Sequence, residues 1–416
     1  MKFKEWKIWI SQVPWHLKWF VILVLLRPIV DNFYYLKNVS PFLSPLYFVG
    51  IATPLFCITT IISFRKKDVS IFDFLFGIWA LLMLISLFFM FLYDPLSKTY
   101  FEYLLKLTMP AYLFFFLRLL IRTRKDLDGV LQSFIYSSLV VVAIFLFEIF
   151  VNPVKVQQTR GLERIQGTYG DVMNYAIYMS LGFLIMCYFN LRNKKMRSVL
   201  SENSRIIVTI VLCLACLFKI SHTASYGVFL IILALFILFN LGANKTVGVT
   251  LILVVGSLAY FFGASTIEEK ITPLIQTDIA VIEGKKDDER LLHGRVGRWK
   301  MMLEEYSEFS VPAQIFGMPL NLVETYPYVG TGSHNDFVRI LFFTGFFGLM
   351  IYLSILINIF RRLKYLSSSD YFLTLGTFMI LFLYSISTCP TLYAPMLYII
   401  YSILCFISLP KSVLSE

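Results

Sequence analysis

Apolar stretches of close to twenty residues recur along nearly the whole chain, and they limit its possible folds more than any motif does. A helix that crosses the hydrocarbon core of a bilayer needs roughly 20 mostly apolar residues. Apolar residues make up 58% of the 416 positions, which is more than one water-soluble core can bury. The sequence therefore predicts an all-α polytopic membrane protein with about twelve transmembrane helices. We place these helices at 19–36, 44–64, 71–93, 103–121, 130–150, 172–191, 206–220, 225–241, 246–265, 334–360, 371–389 and 393–410.

Basic residues between these stretches predict how the helices are oriented. Lysine and arginine accumulate in the short cytoplasmic loops of membrane proteins. When the twelve stretches are threaded in order, the basic clusters all fall on one side, which predicts that both termini are cytoplasmic. The net charge of +11 is accounted for by this topology, so it does not indicate a nucleic-acid partner. The clusters lie at 1–18, 65–67, 122–125, 192–197 and 361–364.

Two segments on the opposite, external side are long enough to build a site. The first covers 151–171 and the second covers about 266–333. Loops longer than ~15 residues in compact folds are usually either functional or disordered. We therefore divide the chain into transmembrane helices 1 to 9 at 1–265, a large periplasmic or extracellular loop at 266–333, and transmembrane helices 10 to 12 at 334–416.

The large loop contains a helical pattern. From Asp287 to Phe309, apolar residues recur at intervals of three and four, which predicts an amphipathic helix. Gly294 and Gly297 weaken that helix by ~1 kcal/mol each relative to alanine. The predicted apolar stripe consists of Leu292, Val296, Trp299, Leu303 and Tyr306.

Arginines occur in both external segments. Arg295 and Arg298 are one turn apart beside the apolar stripe, so a helix lying on the membrane surface can present both to a headgroup. The planar guanidinium of arginine forms two parallel hydrogen bonds to a diphosphate. Arg160 and Arg164 precede a glycine-containing segment, 167–171, at the mouth of the sixth helix. The simpler alternatives are snorkelling for the first pair and a solvated turn for the second.

His334 is the candidate for a proton acceptor. It stands where the large loop runs back into an apolar stretch, and the chain has only 4 histidines. An ordinary imidazole has a pKa of about 6.5 and accepts a proton from a hydroxyl group near neutral pH. Asn335 and Asp336, the next two residues, are placed to orient the ring or the acceptor. The alternative is that His334 only caps the helix that follows. His222 and His293 are the other external histidines.

The order of the motifs along the chain is distinctive. Arg164 stands before G-T-Y-G at 167–170, a G-R-x-x-x-W motif begins at Gly294, and the H-N pair at His334 is followed by G-x-x-G at Gly345. This order resembles the O-antigen ligase and polymerase family of bacterial polysaccharide assembly. The resemblance covers roughly 155–360 in motifs and the whole chain in topology.

The resemblance implies a C-type glycosyltransferase of the bacterial inner membrane that works without a metal or another cofactor. The donor would be a glycan on a polyprenyl diphosphate, and a repeat-unit polymerase would transfer it to the non-reducing sugar of another lipid-linked repeat. His334 would be the general base, and Arg164 and Arg295 would bind the diphosphate. Asn335, Arg298 and Arg160 are further substrate-binding candidates. A chain-length regulator protein is a possible partner.

The sequence departs from the family at one position. Between the seventh and eighth helices, such proteins often carry an arginine after a serine, whereas this chain reads SHTASYGV from 221 to 228. Either another cation, His222 or Lys219, takes that place, or the donor is held differently.

Other functions stay open at this point. An O-antigen ligase transfers the glycan to the lipid A core and needs the same base and arginines. A transporter or flippase also uses charges inside the membrane, such as Arg27 and Asp31, although the chain shows no internal repeat. A third alternative is an external carboxylate as the base together with a metal. The candidates are Asp171, Glu163, Glu324 and Asp336, although no two of them have the spacing of a metal site. The 6 cysteines lie in or beside apolar stretches and predict neither disulfides nor zinc, despite C-x-x-C at Cys213.

Overall fold

Most of the predicted transmembrane stretches fall within the described part of the computed structural model. That part comprises residues 3–33, 35–40, 43–63, 69–93, 98–151, 156–159, 162–165, 169, 172–192, 222–241, 253, 256–257, 272, 276, 279–281, 283–285, 291–318, 333–410 and 414. The predicted helix at 206–220 and nearly all of the one at 246–265 lie outside it. So do Arg160, Cys213, Cys216, Lys219 and most of the segment 167–171.

The described residues form an almost entirely helical structure, which confirms the predicted class. The helices are α1 (Phe3–Gln12), α2 (Trp15–Asn32), α3 (Leu36–Val39), α4 (Pro45–Ser63), α5 (Ile71–Tyr93), α6 (Lys98–Leu120), α7 (Arg124–Phe150), α8 (Val172–Arg192), α9 (Thr223–Leu241), α10 (Leu291–Glu308), α11 (Val311–Phe316), α12 (Asp336–Leu363), α13 (Ser368–Ser387) and α14 (Ala394–Ile407). A 3-10 turn, Pro390–Leu392, precedes α14. The first external segment adds a small antiparallel hairpin of β1 (Val156–Thr159) and β2 (Leu162–Ile165).

Six helices of the described chain are long and apolar enough to cross a membrane. The apolar segments Ala224–Phe239, within α9, and Ala394–Ile407, which is α14, are shorter. The helices α2 and α6 overlap two further predicted stretches. These helices thus support the prediction of a membrane protein, whereas the total of twelve transmembrane helices stays a prediction. The six candidate spans are Pro45–Ser63, Ile71–Phe89, Arg124–Glu148, Val172–Arg192, Asp336–Leu363 and Ser368–Ser387.

Contacts between side chains show that the long helices alternate in direction. The Ser137 hydroxyl of α7 donates to the Val24 carbonyl of α2, whereas Tyr188 near the end of α8 donates to Asp128 near the start of α7. We call one end of the bundle the basic face. The helices that begin there are α2, α5, α7 and α13, and those that end there are α4, α6, α8, α9, α12 and α14. The opposite end, which carries the hairpin, α10 and α11, is the loop face.

Pro28 lies inside α2, and side chains from two other segments donate hydrogen bonds to carbonyls of this part of the helix. Proline has no N–H group, so the carbonyl of Val24, four residues earlier, loses its helical donor. Ser137 of α7 donates to that carbonyl at 2.9 Å, and the Tyr169 hydroxyl donates to the Pro28 carbonyl at 3.1 Å. Backbone groups inside a bilayer have to be satisfied within the protein. These two bonds therefore attach α2 to α7 and to the residues before α8.

Two glycines allow α11 to lie against α12. Gly345 has a φ of +67° and marks a kink inside α12, and Gly317, after α11, has a φ of +108°. A Cβ atom on Gly345 would lie 2.3 Å from the Ile315 carbonyl oxygen, and one on Gly317 would lie 2.1 Å from that of Phe343. Only glycine combines this backbone conformation with so close an approach. The G-x-x-G motif thus begins at the kink.

Candidate functional site

The amphipathic helix of the large loop docks directly beside His334. The Trp299 indole of α10 donates to the Ser333 carbonyl at 2.8 Å. The predicted helix is confirmed over Leu291–Glu308, and its first residues, 287–290, lie outside the described part. One residue of the predicted stripe is wrong: Leu303 is 43% exposed and Met302 is buried instead. The docked face of α10 therefore includes Met302 in place of Leu303, and it keeps Trp299 and Tyr306.

A second contact ties α10 to α11. The Tyr306 hydroxyl donates to the Gln314 carbonyl, and the Phe309 ring packs edge-to-face against Phe342 of α12 at 4.9 Å between centroids. Partial burial raises the pKa of Tyr306, so its hydroxyl stays protonated and keeps donating at neutral pH. The segment α10–α11 is thereby fixed to the first half of α12, which begins two residues after His334.

His334 is exposed at the loop face, and its backbone is held on both sides. Its φ of +48° is left-handed, which is uncommon for a residue other than glycine. The Ser333 hydroxyl donates to the Asn335 carbonyl at 2.8 Å. The Asn335 Oδ1 atom accepts from the backbone N–H groups of Phe337 and Val338 at 2.9 and 3.1 Å, which makes it the N-cap of α12. An exposed imidazole therefore stands on a rigid backbone between two buried neighbours.

Asn335 and Asp336 both have roles in folding, and their orienting of the imidazole or the acceptor stays a prediction. The cap uses the side-chain oxygen Oδ1 of Asn335, so the predicted contact with substrate would be made by its side-chain amide nitrogen. Asp336 is fully buried and accepts from Arg339 Nη2 at 2.7 Å, from the Thr391 hydroxyl at 2.9 Å and from the Thr391 N–H at 3.1 Å. Asp336 thus fastens the start of α12 to the turn before α14.

The two arginines of α10 are placed differently. Arg295 is half-buried and lies four residues before Trp299, so both are on the same side of the helix. Arg295 is therefore one turn away from the contact that holds Ser333. Arg298 is exposed. Gly294, directly before Arg295, has a φ of +78°, which glycine adopts without steric cost. The structure thus favours Arg295 over Arg298 as a neighbour of His334.

The hairpin brings Arg164 to the loop face. Arg164 lies in β2, where its backbone pairs with Gln157 of β1. Tyr169, four residues after the hairpin, is fully buried and attached to the Pro28 carbonyl. The first external segment therefore has a fixed anchor at the same end of the bundle as His334. Arg160, between the strands, lies outside the described residues.

A buried hydrogen-bonded chain below the loop face was missed by the sequence reasoning. His222 Nδ1 lies 2.7 Å from the Ser225 hydroxyl, which lies 3.0 Å from the Tyr384 hydroxyl. Tyr384 in turn lies 2.9 Å from the Ser180 hydroxyl. This chain joins α8, α9 and α13. Because His222 is buried, it differs from the exposed His334. Sequence spacing pairs His222 with Ser225 but contains no signal for Tyr384 or Ser180, which are distant along the chain.

The described part of the chain contains no group of three histidine, cysteine, aspartate or glutamate side chains that could hold a metal ion. Its four cysteines are Cys57, Cys187, Cys389 and Cys405, and all of them are free thiols. The expectation that the protein works without a metal stays a prediction, because a reaction has to be measured to test it.

Comparisons with known proteins do not identify a family. The sequence matches no family model and no curated protein. The resemblance to polysaccharide ligases and polymerases therefore rests on the motifs, and the functional argument rests on the geometry around His334.

Proposed function

We propose that the protein is a membrane glycosyltransferase that joins lipid-linked glycan repeats, as an O-antigen or capsule polymerase does. It would transfer a glycan from a polyprenyl diphosphate to the non-reducing sugar of another lipid-linked repeat. One observation carries the proposal: an exposed histidine is held rigidly at one end of a helix bundle, and an arginine-bearing helix is docked beside it. A base and a cation at a membrane boundary suit a sugar acceptor and an anionic lipid-linked donor.

The chemistry follows from these two groups. His334 accepts the proton of the acceptor hydroxyl, and the resulting oxygen nucleophile attacks the anomeric carbon of the donor. The bond from that carbon to the diphosphate oxygen breaks, and the diphosphate leaves with the electron pair. Arg295 and Arg164 stabilise the charge on the leaving oxygen. General bases contribute about 10²- to 10⁴-fold to rates, and one oriented donor contributes ~3–4 kcal/mol of transition-state stabilisation.

The directions of the helices support the twelve-helix topology. The helix α8 ends at the basic face and α9 begins at the loop face; α9 ends at the basic face and α12 begins at the loop face. One further membrane crossing between α8 and α9, as predicted at 206–220, and one between α9 and α12, as predicted at 246–265, would bring the chain back from the basic face to the loop face each time. Exposed or half-buried basic residues at the basic face support a cytoplasmic location for that face. They include Arg122, Arg124, Lys125, Arg192, Arg361, Arg362 and Lys364.

The proposal is tested by deleting the gene in its native host and restoring it as wild type or as His334→Ala. Surface glycan is then separated on a gel. We expect both the deletion and the variant to lose the ladder of chain lengths and to keep a single-repeat band. Loss of every repeat, with long lipid-linked chains accumulating, would identify a ligase instead. An unchanged ladder would contradict both transferases. His16→Asn, a change at the basic face, is the matched control, and immunoblotting of membranes checks the protein level.

The metal-independent mechanism has its own test. Purified protein is incubated with a chelator and then supplied with lipid-linked repeats. We expect the turnover rate to stay unchanged. Loss of turnover that an added divalent cation restores would contradict this mechanism.

A further inference from the structure

The N-terminal helix α1 is docked specifically on α7. The Trp6 indole donates to the Ser133 hydroxyl at 2.9 Å and to the Gly129 carbonyl at 3.2 Å. The Trp9 indole donates to Asp126 Oδ1 at 3.4 Å. A Cβ atom on Gly129 would lie 2.4 Å from the Trp9 ring, so only glycine leaves room for this indole. One side of α1 is therefore fixed against the bundle.

The opposite side of α1 mixes basic and apolar side chains. At 100° per residue, Phe3, Lys7, Lys4 and Ile8 follow one another around an arc of about 140°. Phe3 is 62% exposed and Ile8 is 56% exposed, and both lysines are exposed. Each lysine thus lies between two exposed apolar side chains, one of which, Phe3, also packs against Tyr136 of α7. Glu5 is the acidic residue of α1 and lies beyond Ile8 on the helix circumference.

The contacts also indicate how deep α1 lies. Trp9 contacts α7 at Asp126 and Gly129, and Phe3 packs against Tyr136 at 5.9 Å between centroids. The helix α1 therefore runs antiparallel to the first turns of α7, and Trp9 lies nearer the basic face than Phe3 does. Tryptophans concentrate at the boundary between headgroups and acyl chains. Of the 6 tryptophans in the chain, four lie here: Trp6, Trp9, Trp15 and Trp19.

We infer that α1 is an interfacial helix that binds an anionic phospholipid. Lys4 and Lys7 contact the phosphate of the headgroup, and Phe3 and Ile8 contact the first part of the acyl chains. The complementary charge and the apolar flanks on one arc favour this partner over a soluble protein. The inference is independent of the proposed transferase activity, because it concerns the opposite end of the bundle.

The test uses the purified full-length protein in a neutral detergent. Phosphatidylglycerol or phosphatidylcholine is added, and the Tm is measured. We expect phosphatidylglycerol to raise the Tm of the wild type more than phosphatidylcholine does. Lys4→Gln with Lys7→Gln should remove at least half of this difference. The control, Lys125→Gln with Lys364→Gln, removes two exposed positive charges from the same face and should keep most of it.

Two results would overturn the inference. Equal Tm shifts with the two lipids in the wild type would exclude a preference for anionic headgroups. Equal losses in the two double variants would show an effect of overall charge without a site on α1. Trp6→Phe with Trp9→Phe removes both indole hydrogen bonds and keeps the lysines. We expect this variant to lose part of the lipid-specific shift, and full retention would contradict the docked arrangement.

Discussion

The two ends of the helix bundle use charged side chains differently. At the basic face, Asp128 of α7 pairs with Arg192 of α8, and Asp370 of α13 pairs with Arg124 of α7. Tyr188 of α8 lies between the two carboxylates, 2.9 Å from Asp128 and 3.4 Å from Asp370. Each of these contacts joins two helices. The charges of this face therefore hold α7, α8 and α13 together.

At the loop face, two ion pairs each join residues of a single helix. Arg27 and Asp31 of α2 are 2.8 Å apart, and Asp336 and Arg339 of α12 are 2.7 Å apart. Asp336 also accepts from Thr391, which ties this helix end to the turn before α14. His334 is exposed beside it. Ion pairs between helices thus hold the bundle together at the basic face, whereas at the loop face the ion pairs lie along one helix and a candidate base is exposed.

The largest expected effect is on the exposed base. His334→Ala should lower glycan polymerisation by about 10²- to 10⁴-fold, because the acceptor hydroxyl loses its proton acceptor. The Tm should stay close to that of the wild type, since the side chain is exposed. The measurement is chain extension of a lipid-linked repeat by purified protein. Normal chain lengths would exclude His334 as the base.

A substitution at the basic face should lower the stability and leave the activity of the folded protein unchanged. Asp128→Asn leaves Arg192 without its carboxylate partner, and we expect a loss of about 3 kcal/mol in the free energy of unfolding. The turnover per folded molecule should be retained, because the site lies at the other end. Denaturant unfolding followed by tryptophan fluorescence checks the first expectation, and Lys125→Gln is the exposed control. A strong loss of turnover in folded protein would break the division between the two faces.

The arginines of the loop face should show a graded effect. Arg295→Lys and Arg164→Lys keep the charge but lose bidentate hydrogen bonding, so we expect each to lower polymerisation about tenfold or more. Arg298→Lys should change it less than about threefold, because Arg298 is exposed and lies farther than Arg295 from Trp299 around the circumference of α10. Rates at saturating lipid-linked repeat measure this. Wild-type activity in the first two variants would exclude the diphosphate contact.

The smallest expected effect is on the helix cap. Asn335→Ala should cost about 1 kcal/mol of stability, because two N–H groups of α12 lose their acceptor. Asn335→Ser keeps a capping oxygen and should restore most of that stability. If Asn335 also binds substrate, Asn335→Ser will regain stability without regaining activity. The Tm and the polymerisation rate, measured on the same samples, separate the two roles.

Much of the helical framework could be predicted from local sequence. A stretch of apolar residues long enough to cross a bilayer has few alternatives to a helix, because every backbone group has to be satisfied within the segment. The predicted stretches at 71–93 and 172–191 therefore match α5 and α8 within one residue. The helix around Trp299 was also predictable, since its apolar residues recur with helical spacing.

Contacts between distant segments decided which side of each helix is buried and which is exposed. Periodicity shows which residues share a helix face, but the arc that meets a neighbour depends on where that neighbour lies. For this reason Met302, and not Leu303, is buried, and Arg295 is favoured over Arg298. The same holds for Asn335, which caps α12 and whose contact with substrate stays a prediction. It also holds for Tyr384, whose partners are remote in sequence. The sequence by itself determined the helices and the residue types at the site, whereas contacts between distant segments determined which of those residues stay exposed.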